Sequence, residues 1–219
     1  MSKTISGNAT GFSRRILAAG LAALAAGMTL ASPAHADYSE GYKFLESVKK
    51  KEGEKVEKAL MDNSQIVNAK DVTTGETGLH IVTQRRDLTW LAYLIGKGAN
   101  VNASDDHGRT PLQLAVSLGW REGVAQLLDA KAQPDPTNDA GETPLIFAVH
   151  RKDVDMVKTL LQAGASADRA DNSGRSAREY ANVEAGKTSQ LAQVIEQFGA
   201  KGSKPKAVYG PVMLSLIHI

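Results

Sequence analysis

Cysteine is absent from the 219 residues, which excludes a disulfide framework, a thiolate metal site and a cysteine nucleophile. Packing and hydrogen bonding must hold the fold together. Aromatic residues are scarce, at 5%. An excess of one charge is missing too: 26 Lys and Arg stand against 24 Asp and Glu. Three of the basic residues, Lys3, Arg14 and Arg15, lie within the first 36 positions; without them 23 basic residues face 24 acidic ones, a net charge of −1. That balance offers no basic stripe for nucleic acid. Long hydrophobic runs are missing but for one, Ile16 to Ala31, and at 16 residues it falls short of the roughly 20 needed to cross a bilayer.

What is present begins at the two ends. Lys3, Arg14 and Arg15 precede that alanine-rich run, and "AHA" (Ala34 to Ala36) follows it with small residues, the pattern of a secretory signal peptide. Cleavage after Ala36 is expected, with a mature chain starting at Asp37 in the periplasm or the medium and no membrane attachment once the leader is gone. "SRRIL" (Ser13 to Leu17) also resembles a twin-arginine export signal, so the export route stays open. At the other end, "LSLIHI" (Leu214 to Ile219) is the translation of DNA resembling the transposase end used in sequencing libraries. Residues 214–219 are therefore read as an adapter-derived tail outside fold reasoning, and residues 201–213 as a flexible tail.

Between these ends the chain nearly repeats itself. Gly75, Gly108, Gly141 and Gly174 fall 33 residues apart, with Thr77, Thr110, Thr143 and Ser176 in step. A fixed period of that length means stacked supersecondary units. The strings "TGLHIV" (Thr77 to Val82), "TPLQLA" (Thr110 to Ala115), "TPLIFA" (Thr143 to Ala148) and "GANVNA" ending at Ala103 resemble the ankyrin repeat. The resemblance covers about residues 71 to 200 and implies an all-α solenoid of helix-turn-helix units joined by β-hairpin-like turns. Residues 71–103, 104–136 and 137–169 form three full repeats. Residues 37–70 are a degenerate first repeat, read from apolar Phe44, Leu45, Val48, Val56 and Leu60 under a lysine-rich face, and 170–200 a C-terminal cap.

The repeated residues have mechanical reasons to recur. Thr110 and Thr143 can cap a helix, and Pro111 and Pro144 suit its first position, where no amide donor is needed. Leu112, Leu114 and Ala115, matched by Leu145, Phe147 and Ala148, give one apolar face. Gly98 and Gly164 can close the second helix in a left-handed conformation. Lys131 stands in that column and is expected to be forced left-handed at roughly 1 kcal/mol, with Pro134 and Pro136 stiffening the exit. Trp90 and Gly123 share another column, which predicts that the indole fills the space left by the glycine.

Catalytic patterns are not found. His80, His107 and His150 lie outside any ligand-spaced cluster, and His80 belongs to the "TGLH" in which the resemblance implies a structural role. "AGKTS" (Ala185 to Ser189) is similar to the end of a phosphate-binding loop, but Ala181 replaces the required glycine and no strand precedes it; Gly186 reads as a break between helices. No serine elbow, HExxH or dinucleotide glycine pattern occurs. No catalytic residue, metal or cofactor is assigned.

What remains is surface. The resemblance implies protein partners bound on a concave face built from hairpin tips and the open side of the first helices. The candidate residues there are Thr73, Thr74, Glu76, Gln84 and Arg85; Asp106, His107, Arg109, Ser117 and Leu118; Asp139, Glu142, His150 and Arg151; and Asn172 and Arg175. Trp120 joins them as an anchor if it is exposed. Mixed charge and few aromatics point to a polar protein surface as target, contacted by a monomer. The expected function is a non-enzymatic protein-interaction module exported from a bacterium; the alternatives are a targeting module of a larger enzyme or a membrane-tethered scaffold.

Overall fold

A computed structural model describes residues 33–185 and 189–199. The expected signal run, the tail from 201 onward and Gly186 lie outside the described residues. The chain divides into two compact units, Met1–Tyr38 and Ser39–Ile219. Of the first, only the start of helix α1 (Pro33–Lys50) is described, so the backbone on both sides of Ala36 is helical. All that follows concerns the second unit.

The architecture is five helical pairs in a row. α1 is followed by α2 (Gly53–Asp62) and a 3-10 turn (Ser64–Asn68). The next pairs are α3 (Gly78–Gln84) with α4 (Leu88–Gly96), α5 (Pro111–Ser117) with α6 (Arg121–Asp129), and α7 (Pro144–His150) with α8 (Val154–Gln162). The last pair is α9 (Ala177–Tyr180), a π-helical turn (Ala181–Ala185) and α10 (Gln190–Phe198). The first helices α3, α5, α7 and α9 touch in sequence, and α4 meets α6 as α8 meets α10. There is no strand among the described residues; single antiparallel bridges, Lys70 to Thr77 and Ala170 to Ser176, close the first and last hairpins.

Each helix starts where its sequence requires. The Thr110, Thr143 and Ser176 hydroxyls accept from the amides of Gln113, Ile146 and Glu179, and Pro111 and Pro144 occupy the first turn. The second helices α4 and α8 are capped by the carboxylates of Asp87 and Asp153. One core runs through all five pairs, with Phe44, Val48, Leu79, Leu94, Leu112, Leu127, Leu145, Leu160 and Ile195 all buried. Because each unit exposes one apolar face to the next, none could bury its own.

Trp120 departs from both expectations set for tryptophan. It stands in the column of Asp87 and Asp153, so α6 has no side-chain cap. Its ring instead turns inward over Gly123, where an added methyl would overlap the indole, and only 6% of Trp120 is exposed. Trp120 is thus a core residue and no surface anchor. It, rather than Trp90, fills the space at Gly123; Trp90 packs edge-on against Tyr93 at 5.8 Å.

Lys131 is left-handed as expected, at φ 68 beside 89 for Gly98 and 97 for Gly164. A second left-handed column comes between the helices of the first four pairs: Lys51 (φ 60), Arg86 (φ 54), Gly119 (φ 65) and Lys152 (φ 55). Three of the four are basic side chains at a conformation costing each about 1–2 kcal/mol. They sit beside helix C-termini, where positive charge is favourable.

Successive units are also sewn together by polar side chains in the loops. Asn68 accepts from the Asn100 amide at 2.7 Å, Asn102 from Gln133 at 2.8 Å, and Asp135 from Ser166 at 2.9 Å. Where the first two joints use a neutral amide, the third uses a carboxylate whose burial pushes its pKa up, against the Ser166 amide and Arg169. A raised folded pKa means that the ionised form is the disfavoured one, so its cost is fully present above the folded pKa and disappears below the ordinary value near 3.8. Asp135→Asn keeps the acceptor and removes the charge. After discounting for partial exposure it should add about 0.5–1 kcal/mol at pH 7, seen as a Tm rise of about 1–3 °C that vanishes near pH 3. A fall in Tm at pH 7 would contradict this origin of the shift.

Candidate functional site

Four hairpin fingers project where one pair passes to the next, and each is bracketed by one short polar side chain. Asp105 Oδ1 accepts from the amides of His107 and Arg109, Asn138 from Ala140 and Glu142, and Asp171 from Ser173 and Arg175. Asp71 does the same for Thr73 in a first finger that is one residue longer, since Asp71 lies four residues before Gly75 whereas Asp105 lies three before Gly108. Such side-chain-to-backbone bonds fold a turn without help from a sheet.

The fingers then bond to one another. The Asp106 amide donates to the Thr74 carbonyl at 3.0 Å, Asp139 to His107 at 3.2 Å and Asn172 to Ala140 at 3.1 Å, and Asn172 adds Nδ2 to the Asp139 carbonyl at 2.9 Å. This approach explains two of the glycines. Gly75 and Gly141 have positive φ, and a Cβ at either would strike the backbone amide of the next finger at Asp106 or Asn172.

Fingers are tied to the helices below by the third residue of the first helix. His80 Nε2 lies 2.9 Å from the Arg109 carbonyl, and Gln113 Nε2 donates to Glu142 at 3.0 Å. Ile146, in the same column, carries no polar group to repeat the bond. In the last pair Glu179 accepts from the Ser176 amide at 2.8 Å.

The predicted surface residues divide by this geometry. Thr73, Thr74, Asp106, His107, Asp139, Asn172 and Arg175 are exposed at or beside the finger tips. Glu76, Arg109 and Glu142 lie half-buried on the returning legs. Arg109 clamps Asp105 through Nε and Nη2 at 2.8 and 2.7 Å, and Glu142 accepts from Asn138 at 3.0 Å, so both hold their own finger. At the far ends of the first helices, Gln84, His150 and Arg151 are exposed and Ser117 and Leu118 half-buried. Arg85 is half-buried and donates to the Val48 and Lys49 carbonyls, at 2.7 and 2.8 Å, capping α1. Arg151 likewise reaches the Ser117 carbonyl at 3.1 Å, while Arg86 reaches that of Leu118 at 2.7 Å. The C-terminus of α5 is thereby capped from both neighbouring units.

Between the two edges lie Phe147, which the pattern places on the apolar face of its helix, and Tyr180, which the sequence reading does not single out. Phe147 and Tyr180 are half-buried, and His150 meets the Tyr180 ring edge-on at 4.5 Å. Tyr180 Oη donates to Asp171 at 2.7 Å, and the Arg175 guanidinium lies 5.9 Å from the Tyr180 ring centroid. The four brackets Asp71, Asp105, Asn138 and Asp171 are missed by the sequence reading, although the last three repeat every 33 residues, each three residues before a turn glycine.

The electrostatics suit holding rather than reacting. The Ser173 and Tyr180 hydroxyls, then the Arg175 and Ser173 amides, lower Asp171 to about 2, which makes it a poor proton acceptor near neutrality. Burial pushes Asp105 up, but Arg109 and the His107 amide outweigh it and hold the carboxyl below its ordinary value. Among the described residues no group of three or more His, Asp or Glu could hold a metal ion.

The bracket and the tip next to it should respond differently to truncation. Asp105→Ala removes a buried carboxylate that two amides and an arginine depend on, and should cost about 2–4 kcal/mol. Asp106→Ala removes an exposed side chain only and should stay within about 0.5 kcal/mol. The Asp105 contribution is present above the ordinary carboxylate value and is lost as pH falls through its lowered folded value. Urea unfolding at pH 7 measures both; equal effects would contradict the bracketing role.

Comparison with known proteins agrees with this geometry. The family described as "Ankyrin repeats (3 copies)" matches residues 45–138, and "Ankyrin repeats (many copies)" matches residues 127–181. Human "Neurogenic locus notch homolog protein 4" is 44% identical over 69 residues, 32% of this chain and 3% of that protein. "Putative ankyrin repeat protein FPV031" of fowlpox virus (strain NVSL) is 35% identical over 57 residues, 26% of this chain and 17% of that protein. The chain thus spans only a small part of the length of these relatives. With the period, the capped helix pairs and the bonded fingers in place, the chain belongs to the ankyrin-repeat family, a fold of protein–protein interaction modules.

Proposed function

We propose that this chain is an exported, non-enzymatic binding module that takes one or a few protein partners, as a monomer, on the finger row and the open side of the first helices. The observation that carries it is the fixing of the tips: Thr73, Thr74, Asp106, His107, Asp139 and Asn172 are exposed on a backbone bonded finger to finger. Surface presented this way loses little conformational entropy on binding. The exposed tips are polar and the more apolar ground, Phe147 and Tyr180, lies beside them, which suits a protein segment that is polar with a few apolar residues.

Export rests on the basic start, the apolar run and the "AHA" of residues 1–36. No helix among the described residues is long and apolar enough to cross a membrane. Periplasmic or secreted protein beginning at Asp37 is the expected product. Cell fractionation with N-terminal sequencing tests this; chain still starting at its leader in the membrane fraction would replace it with the tethered scaffold.

Absence of cysteine makes the binding face directly testable. A single cysteine at His107 or Asp139, labelled with a photo-crosslinker, should capture the same partner. A cysteine at Asp129, exposed on outer helix α6, should capture at least several-fold less. Equal capture from Asp129 would place binding on the outer helices.

A further inference from the structure

One joint of the stack is made by a histidine that must be neutral. His80 is 1% exposed, and both ring nitrogens are engaged. Nδ1 lies 3.2 Å from the Thr77 amide, with Thr77 Oγ1 at 3.0 Å. A backbone amide only donates, so Nδ1 must be the acceptor and Nε2 must carry the proton. Nε2–H then donates at 2.9 Å to the Arg109 carbonyl, which only accepts. The first bond caps α3, and the second holds the finger of Asp105 to Arg109 against it.

We propose that His80 is an acid-sensitive latch between the first and second full repeats. A second proton on Nδ1 turns the acceptor into a donor facing the Thr77 amide, so the cap is lost and a buried cation is created. The ring leaves its slot, α3 loses the His80 half of its capping box and the Asp105–Arg109 finger loses its tie to α3.

The surroundings decide where this happens. Burial is the largest influence and keeps the imidazole pKa below its ordinary 6.5. Asp105 and Glu76, one from each flanking finger, favour the proton, and Arg109 opposes it. A base with a depressed folded pKa binds more protons when unfolded. Its contribution is therefore complete above 6.5 and is lost as pH falls from 6.5 through the folded pKa.

The chain contains its own control. Gln113, one repeat later, makes the same two bonds with an amide: Oε1 accepts from the Thr110 amide at 3.0 Å and Nε2 donates to Glu142 at 3.0 Å. Glutamine does not titrate, and Ile146 holds the same column at the next joint. Acid opening is thus confined to the first joint. Partner release on acidification is a consequence that rests on the proposed binding face, whereas opening of the latch does not.

The test uses the full chain and His80→Gln. Thermal unfolding is followed from pH 7.5 to 5, and the His80 ring is followed by 15N NMR in the wild type. The wild type should lose about 3–5 °C of Tm per pH unit more than His80→Gln below pH 6.5. The ring should hold the Nε2–H tautomer at pH 7 and titrate below the ordinary imidazole value of 6.5. Thr77 and Arg109 resonances should shift with it, while Thr110 and Glu142 stay fixed. Equal pH dependence of the two proteins, or a His80 ring titrating at or above 6.5, overturns the latch. If His80→Gln does not fold, the ring titration decides alone. A latch that opens while a partner stays bound at pH 5 leaves the latch standing and removes the first two fingers from the binding face.

Discussion

The structure depends on hydrogen bonds made across unit boundaries by groups that have no partner within their own unit. A finger between two short helices leaves carbonyls that its own bracket does not pair. The 33-residue period brings the next finger's amide to each of them, as at Thr74 with Asp106 and Ala140 with Asn172. Below the fingers, His80 and Gln113 reach forward to the following return leg; in the loops, Asn68, Asn102 and Asp135 reach forward to the next backbone amide. Apolar packing gives the stack its energy, and these forward bonds give it register.

The irregular second repeat shows how the neighbours compensate. Leu118 and Gly119 replace the basic pair present at Arg85 and Arg86, and again at Arg151 and Lys152, whose arginines cap a helix of a neighbouring unit, so the second repeat gives no such cap to its neighbours. Its own α5 is capped by Arg86 from one side and Arg151 from the other. Trp120 in place of an aspartate leaves α6 uncapped but fills the hollow at Gly123. A one-dimensional stack tolerates such exchanges because each unit answers only to its neighbours.

Much of this was legible in the sequence, because it follows from period and local chemistry. Thr110-Pro111 and Thr143-Pro144 fixed where helices begin, and Lys131 among glycines announced a left-handed backbone. The face of a side chain was less legible. Trp120 could be an exposed anchor or a core ring in the same string of letters, and only its column, shared with the capping Asp87 and Asp153, betrays that it had left a cap behind. Arg85 and Arg109 read as free surface charge because nothing local shows the carbonyls of α1 or the bracket Asp105, which their guanidinium groups serve. Long-range hydrogen bonds of that kind become visible only once the units are stacked.

A surface made of fingers is useful for recognition only if the fingers are rigid before a partner arrives. The most direct measurement is amide-resolved hydrogen exchange of the unbound chain at neutral pH. The forward-bonded amides of Asp106, Asp139 and Asn172 should exchange together with the loop amides of their own junction, Gln133 beside Asp139 and Ser166 beside Asn172, at opening free energies well above those of free loops. Finger amides exchanging as fast as unstructured peptide, while the helices below stay protected, would contradict a preformed binding row.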